Sequence, residues 1–339
     1  MHYTIINYNF GNNQEGFFVK VLAGIQPSGD LHIGNYFGSI KKMIERQESD
    51  SVYAFIANYH AMTTVSEGER LASLTMQAAT DFLALGIDPQ KTMFWVQSDV
   101  KEVLELYWVL SQLTPMGFLE RAHSYKDKVA KGINANHSLF SYPVLMAADI
   151  LLFDSETIPV GKDQIQHVEI ARDIAVRFNN EYGEVFHLPQ HQVEAEVATV
   201  PGIDGAKMSK SYGNTINIFG EEKKIQKTIK KIVTDTTALE EPKEYESCNI
   251  YALAKLFLDE NGLEAFQERY RTPGEGYGHF KLYLHDVMWE YFRPYREKRE
   301  YYASHQDEVR DILRSGADKA RQLASEKMEI IRSKTGITY

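Results

Sequence analysis

Three short apolar runs, FFVKVLAG (17–24), VYAFIAN (52–58) and TMFWVQS (92–98), constrain this chain more than anything else in it. Each is brief and rich in β-branched and aromatic residues, so each reads as a strand. Helical stretches lie between them: IGNYFGSIKKMIERQ (33–47), and SLTMQAATDFLALG (73–86) with Asp88-Pro89 after it. Strand and helix alternating at this spacing predict an α/β fold with a parallel sheet and crossover helices.

After about residue 220 the strand pattern stops, and a charged, periodic, Lys-, Glu-, Leu- and Tyr-rich region follows. In EEKKIQKTIKKIV, Ile225, Ile229, Ile232 and Val233 fall at i, i+4, i+7 and i+8, one face of a helix. Lys223, Lys224, Lys227, Lys230 and Lys231 lie mainly on the other face. The 339 residues suffice for two domains. The expected division is an Asn-rich extension at 1–17, a Rossmann-like α/β domain at 18–215, and a helical domain at 216–339 whose last helix packs back on the first domain.

One cysteine, Cys248, excludes an internal disulfide and a cysteine-based zinc cluster, and it favours a reducing, cytoplasmic setting. No window approaches 18 apolar residues, so no membrane span is expected, and the first 16 residues do not read as a signal peptide. The net charge of −10 gives no bulk attraction for nucleic acid, so a polyanion must be met by local basic clusters.

Two short motifs carry the chemistry. After the first strand, Gln26-Pro27-Ser28-Gly29-Asp30 is full of turn formers, and a helix should start near His32 or Ile33. A helix N-terminus offers unpaired N–H groups to phosphate, and Gly34 clears room for a flat ring. His32 and Asn35 are three apart, share a helix face and can donate to one bound group. The plain alternative is an ordinary strand–turn–helix with a glycine for packing. Far downstream, Lys207-Met208-Ser209-Lys210-Ser211 sits in the glycine-flanked loop PGIDGAKMSKSYGN (201–214). Its two lysines make a cationic arm able to close over a triphosphate. Alone, such a stretch reads equally as a solvated loop.

Together, His32-Ile33-Gly34-Asn35 and Lys207-Met208-Ser209-Lys210-Ser211 resemble the paired signatures of class I aminoacyl-tRNA synthetases, with Asn in place of the second His of His-Ile-Gly-His. Gly-Asn at that point resembles the tryptophanyl branch, bacterial type. So do GIQPSG (24–29), NYHAMT (58–63), GIDP (86–89), YPVLMAADILLF (142–153) and GKDQIQHVE (161–169). The resemblance implies activation of L-tryptophan with ATP and Mg²⁺, then transfer to tRNA(Trp) by a homodimer. It also implies that the helical region after 216 reads the anticodon, and it makes the lysine face at 223–231 a candidate RNA contact.

By the same resemblance, Gln26, Pro27, Ser28, His32, Gly34 and Asn35 line the ATP site with Lys207, Met208, Ser209, Lys210 and Ser211. Gly161, Lys162, Asp163 and Val200 belong to its adenosine end. Lys128, Lys207 and Lys210 stabilise the triphosphate. Asp149, Met146, Tyr142, His60, Gln164 and Gln26 hold tryptophan. Tyr142, Met146, Asp149 and Phe153 are spaced to share a helix face, and Asp149 is the one charge in that run. An indole offers a single N–H donor, which suits a carboxylate acceptor. The alternative is a structural bond from Asp149 to a backbone N–H or an arginine, and His60 is equally readable as a satisfied interior histidine. Leu22 and Gln26 stand where tyrosyl enzymes carry Tyr and Asp. The chain departs from the family pattern at Leu22-Ala23, Lys162, Tyr212-Gly213 and near Ser124. A non-catalytic tryptophan sensor, or another nucleotidyltransferase without tRNA, remains an alternative.

Overall fold

The computed structural model describes residues 20–122, 136–154, 157–160, 165–193 and 200–338. The three apolar runs form strands β1 (Lys20–Ile25), β2 (Ser51–Ile56) and β3 (Thr92–Val96). They pair in parallel with β2 in the middle, Leu22 opposite Tyr53 and Tyr53 opposite Met93. The strands are buried on both faces, which is why they read as nearly continuous apolar sequence.

Period-2 alternation sorts their side chains into two cores. Val21, Ala23, Ile25, Val52, Ala54, Ile56, Phe94 and Val96 enter one; Leu22, Tyr53, Phe55 and Trp95 enter the other. The link from β1 to β2 is one helical run of three parts: α1 (Ile33–Asn35), a π-helical segment (Tyr36–Ile40) and α2 (Lys41–Arg46). Within it the Lys41 N–H reaches back five residues to the Tyr36 carbonyl. After β2 come the single turn α3 (Asn58–Ala61) and α4 (Gly68–Leu85), which ends on Gly86 in the left-handed conformation at φ +117°.

The second core is built from α5 (Glu102–Ser111), α6 (Met116–Glu120) and α7 (His137–Leu152), with β4 (Thr157–Val160), α8 (Ile165–Tyr182) and β5 (Gln190–Val193) completing the α/β region. Strands β4 and β5 form a separate parallel pair. The helical region comprises α9 (Glu222–Ile229), α10 (Asn249–Ala254), α11 (Glu260–Arg271), α12 (Tyr277–Tyr291), α13 (Arg293–Ser304) and α14 (Gln306–Thr335).

One feature differs from the sequence expectations. Helix α9 stops at Ile229, so Ile225, Ile229 and Ile232 are buried but Val233 is 59% exposed. The Val233 N–H is instead bonded to the Ile203 carbonyl, and that contact pulls the chain out of the helical phase. The helical region shares the first core with the sheet, through Phe266, Tyr270, Phe280 and Phe292. The last helix, α14, lies along β3 and supplies Val309 and Leu313 to one core and Ala317, Ala320, Ala324, Met328 and Ile331 to the other.

Candidate active site

Parallel strands present their carboxyl ends to a common rim, where ligands of such sheets bind. On this rim β1 runs into Gln26-Pro27-Ser28, with Gln26 and Ser28 exposed, and Gly29 takes φ +83° to turn the chain. His32 then caps α1. Its Nδ1 accepts from the Asn35 N–H at 3.2 Å, while the Asn35 side chain accepts from the His32 N–H at 3.1 Å. The reciprocal cap uses Nδ1 as an acceptor, so a neutral His32 carries its proton on Nε2. Burial, with the nearby Lys210 charge, pushes the His32 pKa down to about 4, so the ring is neutral at physiological pH.

The downstream loop docks directly on this turn. Ile33 N–H donates to the Ile216 carbonyl, and Ile218 N–H donates to the Leu31 carbonyl. A β-carbon on Gly34 would lie 2.9 Å from His32 Nδ1 and 3.2 Å from Met208 Cβ, so only glycine admits this approach. Met208 is buried in the first core, and its N–H donates to the Val200 carbonyl at 2.9 Å. The Lys210 ammonium donates to the Ser28 carbonyl at 2.9 Å. Desolvation there lowers its pKa, while Asp30 and Asp81 act in the opposite sense. Lys207 and Ser211 are exposed, and the Ser209 and Ser211 hydroxyls lie 2.8 Å apart.

The second constellation is buried. Asp149, 3% exposed, lies on α7. Its Oδ2 is 2.9 Å from His60 Nε2, and Gln97 Nε2 donates to both carboxylate oxygens at 2.9 Å. Gln97 Oε1 accepts from the Tyr59 N–H at 3.1 Å, which fixes the amide so that its nitrogen faces Asp149. Met146 and Tyr142 lie on the same helix face; the Tyr142 hydroxyl is 2.7 Å from His167 Nε2, and the Tyr142 ring stands edge-on to His60. Among the described residues, Asp149 is thus held by side-chain donors that follow β2 and β3, with no arginine or backbone N–H on its carboxylate. His60 is a satisfied interior histidine, at least through Nε2.

The family of tRNA synthetases class I (W and Y) matches residues 14–293 of this chain. The chain belongs to that family. Its 319-residue match to the tryptophan–tRNA ligase of Campylobacter jejuni is 62% identical and covers 94% of this chain and all of the relative. The tryptophan–tRNA ligase of Rhodopirellula baltica is 49% identical over the same shares. The crystal structure of the Campylobacter jejuni tryptophanyl-tRNA synthetase complexed with ADP and tryptophan superposes with a TM-score of 0.92, at 63% identity, covering 94% of this chain and 99% of that one.

Within this class I synthetase, the structure brings Gln26, Pro27, Ser28, His32, Gly34, Asn35, Val200 and the 207–211 loop together, and gathers His60, on α3 beyond β2, with Tyr142, Met146 and Asp149 on one face of α7. Lys128, Gly161, Lys162, Asp163 and Gln164 lie outside the described residues. Sequence reading missed Gln97 and Asn214. The signal for Gln97 was its position directly after a strand, as with Gln26 after β1. Asn214 carried no such signal.

Proposed function

We propose that this chain joins L-tryptophan to tRNA(Trp) through a tryptophanyl-adenylate. The observation that carries this reading is the 62% identity, over 94% of the chain, to a tryptophan–tRNA ligase. The tryptophan carboxylate, ionised near neutral pH, attacks the α-phosphorus of ATP. The bond from that phosphorus to the bridging oxygen breaks, and pyrophosphate leaves. The 2′-hydroxyl of the terminal adenosine then attacks the acyl carbon, and AMP departs. Neither step requires a side-chain nucleophile, so catalysis is positioning and charge stabilisation.

Gln26 to Ser28 and the His32–Asn35 turn form the floor under the phosphates, with the His32 Nε2–H and the Gly34 N–H as donors. Lys207 and Lys210 neutralise the departing pyrophosphate, Lys210 exchanging its bond to the Ser28 carbonyl for a phosphate oxygen. Lys128 completes the cationic set. Met208, buried below, anchors the arm. Asp149 accepts the indole N–H, with Met146 and Tyr142 along the ring and Gln26 and Gln164 at the polar end. Because His60 and Gln97 already donate to it, the carboxylate stays an acceptor and demands a donor.

Among the described residues, no group of three or more His, Cys, Asp or Glu is arranged to hold a metal. Magnesium would enter as the companion of ATP and would add positive charge beside Lys207 and Lys210 on the triphosphate.

No helix among the described residues is long and apolar enough to cross a membrane. A cytoplasmic homodimer fits this activity. Leu104 and Trp108, one turn apart on α5, are both exposed, Trp108 at 66%, and Met116 lies exposed shortly after them. Such apolar surface suits a second copy of the chain. The helices after 216 carry the anticodon end, with the lysine face of α9 against the RNA backbone.

ATP–pyrophosphate exchange, run side by side with tryptophan and tyrosine, tests the reading. Exchange dependent on tryptophan alone is expected. A folded protein that exchanges with neither is a sensor, and one that exchanges without charging tRNA is a different nucleotidyltransferase.

A further inference from the structure

One buried amide clamps the backbone of the cationic arm. Asn214 is 2% exposed and lies beyond the arm, next to Gly213 at φ +66°. Its Oδ1 accepts from the Ser209 N–H at 2.8 Å. Its Nδ2 donates to the Lys207 carbonyl at 3.1 Å and to Asp204 Oδ1 at 2.8 Å. These partners leave no choice of orientation, since an N–H must meet oxygen and two acceptors must meet nitrogen. Asp204 in turn accepts from the Ala206 N–H at 3.0 Å. The Asn214 backbone carbonyl accepts from the Ile203 N–H at 3.0 Å.

The fit is tight. A β-carbon on Gly202 would lie 2.3 Å from Asn214 Nδ2, so glycine there admits the amide. Two residues after Asn214, the Ile216 carbonyl accepts from the Ile33 N–H of the first motif and the Ile218 N–H donates to the Leu31 carbonyl, which sets Asn217 opposite His32. A single side chain therefore ties the backbone at both Lys207 and Ser209 to a segment fastened on the phosphate-binding turn.

We propose that Asn214 is a positioning residue for the cationic arm, holding the backbone that carries Lys207 and Lys210 at the distance from the His32–Asn35 turn required in the transition state. Its amide reaches no reacting atom and acts through the two lysines, so the proposal presupposes their phosphate-binding role. Buried hydrogen bonds of this kind, each with both partners satisfied, confine the loop to one arrangement.

The test is tryptophan-dependent ATP–pyrophosphate exchange by N214A and D204A, with thermal unfolding followed in parallel. Asp204 is exposed, so D204A removes one partner of the amide with little risk to folding. For N214A, kcat should fall about ten- to a hundredfold with KM for tryptophan unchanged, as expected for a misplacement of about 1 Å. D204A should show the same split with a smaller loss. On a K207A/K210A background, N214A should cost less than about threefold more, because both groups it positions are already gone. Wild-type kcat in folded D204A and N214A, or a fully additive loss with K207A/K210A, overturns the proposal. Wild-type protein with no tryptophan-dependent exchange instead overturns the underlying function.

Discussion

At the scale of single residues, the proposed tryptophan site turns on the charge of Asp149. Its carboxylate is already shared by His60 and Gln97, so D149A both removes the acceptor for an indole N–H and strands two buried donors. The expected loss in kcat/KM for tryptophan is about 1–3 kcal/mol, with a drop in stability of similar size. Exchange kinetics with tryptophan against tyrosine, together with urea unfolding, check both; undiminished preference in a folded variant contradicts the assignment. Asp149 was visible in the sequence as a lone carboxylate in an apolar helix. Gln97 was not, because a glutamine after a strand is ordinary until α7 is packed beneath it.

His32 adds a pH dependence. Its folded-state pKa is about 4, against 6.5 for a free imidazole. Between those values the unfolded chain holds the extra proton, so stability is lost as pH falls from 6.5 toward 4. Urea midpoints of wild type and H32N across that range should diverge, since asparagine keeps the helix cap without the titration. Parallel pH profiles would exclude His32 as a contributor.

At the scale of elements, the decisive contact is α14 against β3. A β-carbon on Gly316 would lie 1.9 Å from the Phe94 carbonyl oxygen, so the helix backbone rests on the strand itself. Among the described strands β3 is at the end of its sheet, and the long helix covers that edge, which would otherwise offer itself for further pairing. G316A should destabilise the protein by about 1–3 kcal/mol through overpacking, although alanine is intrinsically the better helix former by about 1 kcal/mol. A calorimetric Tm equal to or above wild type would refute the close packing. Farther along α14, Lys327 pairs with Asp154 and donates to the Val185 carbonyl, so the helix is pinned by charge as well as by shape. Nothing in the sequence marks Gly316 as special, since its demand arises from a strand more than 200 residues earlier. The π-helical segment was equally hidden; it places Tyr36 where its hydroxyl lies 3.0 Å from that of Tyr295 and 3.3 Å from that of Tyr291.

At the scale of the whole molecule, the two regions are bound through a common core and not through a linker. The Tyr36 hydroxyl contacts and the shared cluster of Phe266, Tyr270, Phe280 and Phe292 join the first motif's helix to the C-terminal helices. The proposed homodimer would be built on the exposed Trp108 face. Sedimentation should show a dimer for wild type and a monomer for W108E, because a carboxylate in an apolar interface is costly to desolvate. A dimer unchanged by that substitution places the interface elsewhere.

The linear sequence by itself determined the strand–helix alternation, the positions of both signature motifs and the lone acid of α7, because burial periodicity and turn chemistry are local and act over a few residues. Tertiary structure alone decided which donors satisfy Asp149, which amide clamps the lysine arm, where α9 stops and why Gly316 must lack a side chain. Most of those depend on atoms brought together from segments far apart in the chain, and the Asn214 clamp depends on its own loop folding back on itself, which no simple sequence pattern encodes.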